Sequence, residues 1–210
     1  MKWVFLGLPG AGKGTQAKKL TANRDVEHVS TGDLLRAEVK SGSKLGKSAA
    51  QYMNRGELVP DDLVIAMVVK YISGMENYLL DGFPRTLEQA VALHEATEGN
   101  GVDRVFDFDL EEEEVVKRLG GRRVCRDCSA MFHVGFMPPK SEGVCDNCGG
   151  ALMRRDDDHP DTIRNRTRIA REQAGPLLSF YSDKGLLTRI DAARPADVVQ
   201  AEILSYLSDS

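Results

Sequence analysis

Short apolar runs alternate with stretches of helical period along the chain. WVFLG (Trp3–Gly7) reads as a buried strand, followed by a glycine-rich turn and the helix-like TQAKKLTA. VEHVS (Val26–Ser30) is a second strand candidate. Ser30 with Asp33 three residues on forms a capping-box pattern that opens a helix through LLRAEVK. PDDLVIAMVVKYI is amphipathic with an acidic start, NYLLDG (Asn77–Gly82) supplies a third strand, and RTLEQAVALHEATE a further helix. RVFDFDL (Arg104–Leu110) is a fourth strand, and EEEEVVKRL puts four acids at the positive end of the next helix. DTIRNRTRIAREQA, LLTRIDA and PADVVQAEILSYL complete the series as helix, fifth strand and closing helix. This alternation predicts an α/β fold with a doubly wound, parallel five-stranded sheet. The run from Gly121 to about Asp158 breaks it with Gly, Pro and Cys, and reads as a small inserted module.

Composition narrows the function classes. The 210 residues are 41% hydrophobic and 29% charged, with a formal net charge of −4. A chain of this length buries about 70% of its unfolded surface, so one domain with inserts is expected. The acidic balance argues against nucleic acid as a partner, because phosphate-backbone binding needs a basic surface. MKWVFLGLPGAGKG lacks the apolar h-region and cleavage site of a signal peptide, and no apolar run reaches membrane length. A cytoplasmic protein without a membrane partner is expected. Thiols stay reduced there, and clustered cysteines point to metal rather than disulfides.

GLPGAGKGT (Gly7–Thr15) sits between the first strand and its helix, and departs from G-x-x-x-x-G-K-[ST] only by Gly14 between Lys13 and Thr15. Glycines let successive backbone N–H groups point at one anion. The helix start adds its dipole, and the lysine reaches the β- and γ-phosphates. The loop predicts nucleoside triphosphate binding at Gly10, Ala11, Gly12, Lys13, Gly14 and Thr15. Asp81 ends the third strand, at the sheet edge that faces such a loop. A carboxylate there holds Mg2+ or its water shell.

Cys125, Cys128, Cys145 and Cys148 form C-x2-C-x16-C-x2-C. Two thiolate pairs on tight turns suit a closed tetrahedral Zn2+ site, structural because no coordination position stays open. Iron also accepts four thiolates. His133 is a spare ligand, but the four sulfurs complete the shell; His28, His94 and His159 belong to no cluster. On the helix from Thr162, the residues Ile163, Arg166, Ala170 and Ala174 recur at +3, +4 and +4. Arg166 is therefore expected to face inward toward an anion, with Arg164, Arg168 and Arg171 on a solvated face.

GLPGAGKGT, STGDLLR and LLDGFPRT, with the later GGRRVC, RRDDD and IRNR, resemble the adenylate kinase family over nearly the whole chain, in its long form with a zinc-bearing lid. The resemblance implies a core P-loop domain (residues 1–29, 60–120 and 159–210), a helical nucleoside-monophosphate-binding insert (30–59) and a lid (121–158). It implies reversible transfer of phosphoryl from MgATP to AMP, giving two ADP, for adenine nucleotide homeostasis and nucleotide salvage. Such a transfer needs positioning and charge stabilisation more than covalent chemistry, and arginine's fork suits phosphate. By the same resemblance Lys13, Arg85, Arg122, Arg155 and Arg166 are catalytic. Arg36 and Arg85 hold the AMP phosphate, Arg122 the ATP phosphates, and Arg155 and Arg166 bridge donor and acceptor. RRDDD aligns on Arg154 or Arg155; counting back from Arg166 selects Arg155. The implied AMP pocket adds Thr31, Glu57, Leu58, Val59, Gly82, Phe83, Pro84 and Gln89, the last with a donor and an acceptor for the adenine edge. Arg118 and Arg194 frame the ATP adenine, Met131 and Phe132 line its lid side, and Asp157 with Asp158 help position the arginines. A monomer is expected.

Two other readings stay open at this stage. Another nucleoside monophosphate kinase would share the fold and differ in base-reading residues, where Thr31 and Gln89 favour adenine. A nucleotide-regulated nucleic-acid-binding protein would use the cysteine module as a ribbon. That module sets Arg126 and Lys140 against Asp127, Glu142 and Asp146, with Phe132 and Phe136 its aromatics; ribbons need more of both.

Overall fold

The computed structural model describes residues 1–208. In chain order the elements are β1 (Lys2–Gly7), α1 (Lys13–Thr21), β2 (Glu27–Ser30), α2 (Thr31–Ser41), α3 (Lys44–Arg55), α4 (Asp61–Ile72), β3 (Tyr78–Asp81) and α5 (Leu87–Ala96). They continue with β4 (Arg104–Asp109), α6 (Glu112–Gly120), β5 (Arg122–Cys125), β6 (Met131–His133), β7 (Leu152–Met153), α7 (Pro160–Asp183), β8 (Leu187–Asp191) and α8 (Ala196–Ser208).

Five strands pair in parallel in the order β2-β3-β1-β4-β8. Helices cover both faces, so the central strands are largely apolar, with the buried Asp107 of β4 the interruption. Trp3 and Phe5 point to one face, where Phe106, Phe108 and Ile190 meet Leu20 of α1, Leu119 of α6 and Ile203 of α8. Val4 and Leu6 point to the other, where Leu80 and Val105 meet Val68 of α4, Leu93 of α5 and Leu177 of α7. Each such fully buried side chain contributes about 1.5–3 kcal/mol. This double-sided burial holds the carboxyl ends of β1, β2 and β3 in register, with Ser30 and Phe5 both beside Asp81.

Two excursions leave this layer. The first is the helix pair α2 and α3. Gly46 is where they touch: a Cβ there would lie 2.0 Å from the Glu38 carbonyl oxygen. The second is a separate antiparallel sheet, β6-β5-β7, with a core of Cys125, Phe132 and Cys145.

Three local expectations change. The stretch Lys44–Arg55, given no element from its pattern, is helix α3, opened by Ser43 whose Oγ accepts the Gly46 N–H at 2.9 Å. Helix α7 does not stop at Ala174 but runs through Pro176 to Asp183, because Leu177 and Tyr181 continue its buried stripe. Packing there outweighs the cost of an internal proline, about 3 kcal/mol. The capping box at Ser30 is half formed: Ser30 Oγ accepts the Asp33 N–H at 3.4 Å, but the Asp33 carboxylate turns to Arg36. Among the described residues no helix is long and apolar enough to cross a membrane.

Candidate active site

The turn from β1 into α1 is built for close approach. A Cβ on Gly7 would lie 2.4 Å from the Phe108 carbonyl oxygen, so only glycine lets β1 end tight against β4. Gly12 begins α1 in the left-handed region at φ 91° and no side chain caps the helix, which leaves its first N–H groups for a ligand. Lys13 Nζ donates to the carbonyls of Gly7 at 2.7 Å and Leu8 at 2.8 Å, curling over the loop. Burial lowers its pKa to about 8, against the opposing pull of Asp81.

Asp81 stands at the end of β3 across from this loop. A Cβ on Gly14 would be 3.1 Å from Asp81 Oδ2 and 3.6 Å from Met131 Cε of β6. The glycine inserted between Lys13 and Thr15 is thus the point where phosphate loop, strand-end carboxylate and inserted module converge. Thr31 Oγ1 donates to the Gly82 carbonyl at 2.8 Å, tying the start of α2 to the chain beyond β3.

Five arginines gather over this edge. Arg122 grips the buried Asp158 with two bonds, 2.7 and 2.5 Å. Arg166 lies inward on α7 and pairs with Asp157 at 2.9 Å, while Arg164, Arg168 and Arg171 are exposed. Arg36 meets Asp33 at 2.5 Å, and Arg155 reaches the same carboxylate only at 3.7 Å. Arg155 Nε is buried with no hydrogen-bond partner, whereas Arg154 turns outward to His159 at 3.2 Å. Arg85 Nε donates to the Gly82 carbonyl at 2.7 Å. Four of these guanidiniums therefore pair with three carboxylates, Asp33, Asp157 and Asp158, and Arg85 pairs with none of them.

The electrostatics record that surplus. Desolvation, then Arg36 and Arg122, lower Arg155 to about 10. Arg85 opens to the cleft, yet surrounding protein desolvates it and, with Arg166 and Arg36, lowers it to about 10. Burial also lowers Arg166, against the pull of Asp157. All remain cationic at neutral pH. Burial alone would raise Asp33 and Asp157; Arg36 beside the first and Arg166 beside the second overcome it and hold both below the usual carboxylate range. A site of this kind gains when a polyanion takes the unspent charge.

The model of the family described as Adenylate kinase matches residues 5–186. The chain is 46% identical to the adenylate kinase of Lachnospira eligens, over 99% of this chain and 100% of the relative. It is 48% identical to that of Carboxydothermus hydrogenoformans, and 43% to that of Staphylococcus aureus, in each case over 99% of both chains. The chain belongs to the adenylate kinase family.

Within this adenylate kinase framework the other expected residues separate into groups. Gln89 is buried, its Oε1 accepting the Arg85 N–H at 2.7 Å and its Nε2 donating to Asp61 at 2.7 Å. Phe83, Pro84 and Val59 are buried, Leu58 is half-buried, and Glu57 is paired with Arg55 at 2.7 Å. Arg118 is anchored to Glu114 at 3.1 Å and to the Ala192 carbonyl at 3.0 Å, two residues from Arg194, which pairs with Glu202. Met131 is half-buried near Gly14, whereas the Phe132 ring packs inside the inserted module's own core.

That module carries the cysteine cluster of the long adenylate kinase form. The four ligand atoms lie within 4.8 Å of one another. Cys125 and Cys148 approach to 3.4 Å, Cys128 and Cys145 to 3.5 Å, so each contact joins one knuckle to the other. The Cys128 N–H, and behind it that of Asp127, outweigh desolvation and bring the Cys125 thiol to about 7. Four sulfurs at this spacing suit one tetrahedral ion, and the set fits Zn2+ as a structural metal. His133 is not among the cluster. Its Nδ1 accepts the N–H groups of Gly135 at 2.9 Å and Phe136 at 3.0 Å, and its ring fills the space beside Gly121, where a Cβ would come within 2.2 Å.

Two neighbours escaped the sequence reading. His28, given no role, lies 3.2 Å from Asp81 Oδ2. Asp61, whose sequence position marks only the acidic start of α4, accepts from both Thr86 and Gln89. His28 sits one alternating position before Ser30 on β2, which pairs with Asp81, so strand register was the signal available.

Proposed function

We propose that this chain transfers the γ-phosphoryl group of MgATP reversibly to AMP, giving two ADP, in the service of adenine nucleotide homeostasis and salvage. The observation that carries the reading is the surplus of guanidiniums over carboxylates, held beside a glycine-rich loop at the carboxyl ends of the strands. Lys13 and the loop from Gly10 to Thr15 hold the ATP phosphates, with Arg122 from the lid. Arg36 and Arg85 hold the AMP phosphate, and Arg155 and Arg166 reach both. Mg2+, beside Asp81, supplies charge neutralisation on the donor phosphates when ATP is bound. The acceptor phosphate is already an anion, so no strong base is required; the chain's own work is orientation and charge complementarity.

The roles divide by segment. Residues 30–59 with Gly82–Arg85 and Gln89 take AMP; residues 121–158 close over ATP as a lid, stiffened by Zn2+ on the four cysteines. Arg118, Met131 and Arg194 contact the ATP adenine, and Phe132, whose ring packs in the lid core, supports Met131 from behind. The protein works as a cytoplasmic monomer. Neither the wider nucleoside monophosphate kinase reading nor the nucleic-acid ribbon reading gains an observation.

The test supplies MgATP with AMP, CMP, GMP or UMP in turn and follows ADP. Rapid turnover with AMP is expected. No turnover with AMP, alongside turnover with another acceptor, would overturn the proposal.

A further inference from the structure

We infer that Asp61 is a specificity-determining positioning residue: its carboxylate fixes which way the Gln89 amide faces, and so matches the acceptor pocket to adenine. The inference rests on the proposed reading of Gln89 as the residue that meets the AMP base.

A glutamine amide turned over by half a rotation keeps its shape but exchanges donor for acceptor. Its partners alone decide the orientation. Here both partners act in the same sense. The backbone N–H of Arg85 only donates, and holds Gln89 Oε1 at 2.7 Å. The Asp61 carboxylate only accepts, and holds Gln89 Nε2 at 2.7 Å. Asp61 is itself fixed: its second oxygen accepts the Thr86 hydroxyl at 2.6 Å. Thr86 Oγ1 in turn accepts the Gln89 backbone N–H at 3.1 Å, capping α5. Asp61, Thr86 and Gln89 thus close a ring that joins the first residue of α4 to the first turn of α5. Gln89 and Thr86 are both buried, at 1% and 5% exposure, so an amide turned the wrong way would leave polar groups unpaired in the interior.

After these bonds the amide keeps one acceptor site on Oε1 and one N–H on Nε2. They lie side by side in a fixed order. Adenine presents an N6–H donor beside an N1 acceptor, which pairs with that order. Hypoxanthine presents an O6 acceptor beside an N1–H donor, which sets like against like. An amide released from Asp61 turns over more freely and serves both bases. Sites that hydrogen-bond a substrate edge discriminate far better than sites that only fit its shape.

The test compares kcat/KM for AMP and for inosine monophosphate, with MgATP as donor. Wild type, Asp61→Ala, Asp61→Leu, Asp61→Asn and Gln89→Ala are measured, with KM for ATP and Tm followed in each. Leucine keeps bulk and removes both acceptors, which covers the case in which the alanine variant does not fold. Asparagine keeps one acceptor for Gln89. In the alanine and leucine variants the AMP preference should fall about tenfold, the loss of roughly one hydrogen bond's discrimination, with KM for ATP unchanged. The asparagine variant should keep most of the preference. Folded alanine and leucine variants with the wild-type preference would overturn the inference. So would a loss of rate shared equally by both acceptors, the mark of a purely structural role. If Gln89→Ala leaves AMP kinetics untouched, the pocket reading falls and takes the inference with it. If Gln89→Ala abolishes the preference while the Asp61 variants retain it, only the role of Asp61 falls.

Discussion

Lys13 lies folded onto its own loop, its ammonium bonded to two carbonyls and its pKa lowered to about 8. Below that value the free enzyme carries the cation that the proposed reading assigns to the ATP phosphates. Above it the group goes neutral and the attraction is lost. A bound triphosphate restores the charge, because neighbouring anions favour the protonated form. The kcat/KM for ATP, which follows the free enzyme, should therefore fall with rising pH above about 8, approaching tenfold per unit. The kcat profile, set by the complex, should stay level to higher pH. A kcat/KM that is flat through about pH 10 would show that Lys13 is not the group that titrates. The phosphate loop was legible because its residues are contiguous and flanked by a strand and a helix. The companions of Asp81 and Gln89 were not: His28 and Asp61 lie 53 and 28 residues away in sequence. Only strand register and helix packing bring them in.

The lid is the element least able to hold itself together. Its buried cluster is Cys125, Phe132 and Cys145, and two of those three are sulfur ligands. Its strands are two to four residues long. So small a core needs an external constraint, and a structural metal supplies folding energy directly. With the four cysteines holding the proposed Zn2+, a chelator or Cys128→Ala should lower stability by about 4 kcal/mol, which at this chain length is a Tm shift of about 8–16 °C. Calorimetry with elemental analysis decides it; an unchanged Tm in a metal-free sample would remove the metal from the account. Helix α3 shows why some elements escape a pattern reading. Its contact with α2 is made through Gly46 and Ala49, its only buried residues. Small residues let the backbones approach, and the stripe beside them, Leu45, Ala49, Tyr52 and Met53 at helical spacing, was a signal the pattern reading missed. The long continuation of α7 was hidden by Gly175–Pro176, a local stop signal overruled by the burial of Leu177 and Tyr181. The sheet, by contrast, was readable strand by strand: the central runs of β1, β3 and β4 are buried on both faces, and the half-exposed edge strands β2 and β8 follow from their place in the alternation.

The molecule as a whole separates its charges. The chain carries a net −4, while the cleft gathers Lys13 with Arg36, Arg85, Arg122, Arg155 and Arg166. A cleft of one sign in a body of the other focuses its field on the incoming ligand. Raising ionic strength from about 0.05 M to about 0.5 M should increase the KM for both nucleotides several-fold, because screening shortens from over 10 Å to a few Å. Tm should move little, since exposed pairs such as Arg164–Asp161 and Arg168–Glu172 contribute under about 1 kcal/mol each. Salt-independent KM values would mean that binding depends on contact geometry alone. Trp3 adds a practical consequence. It is the only tryptophan of the chain and is 3% exposed on β1, packed into the face shared by α1, α6 and α8. Its emission is a clock for collapse of the sheet. A lid that has lost its metal over an intact sheet gives no signal in that channel, so the two events have to be timed with separate dyes.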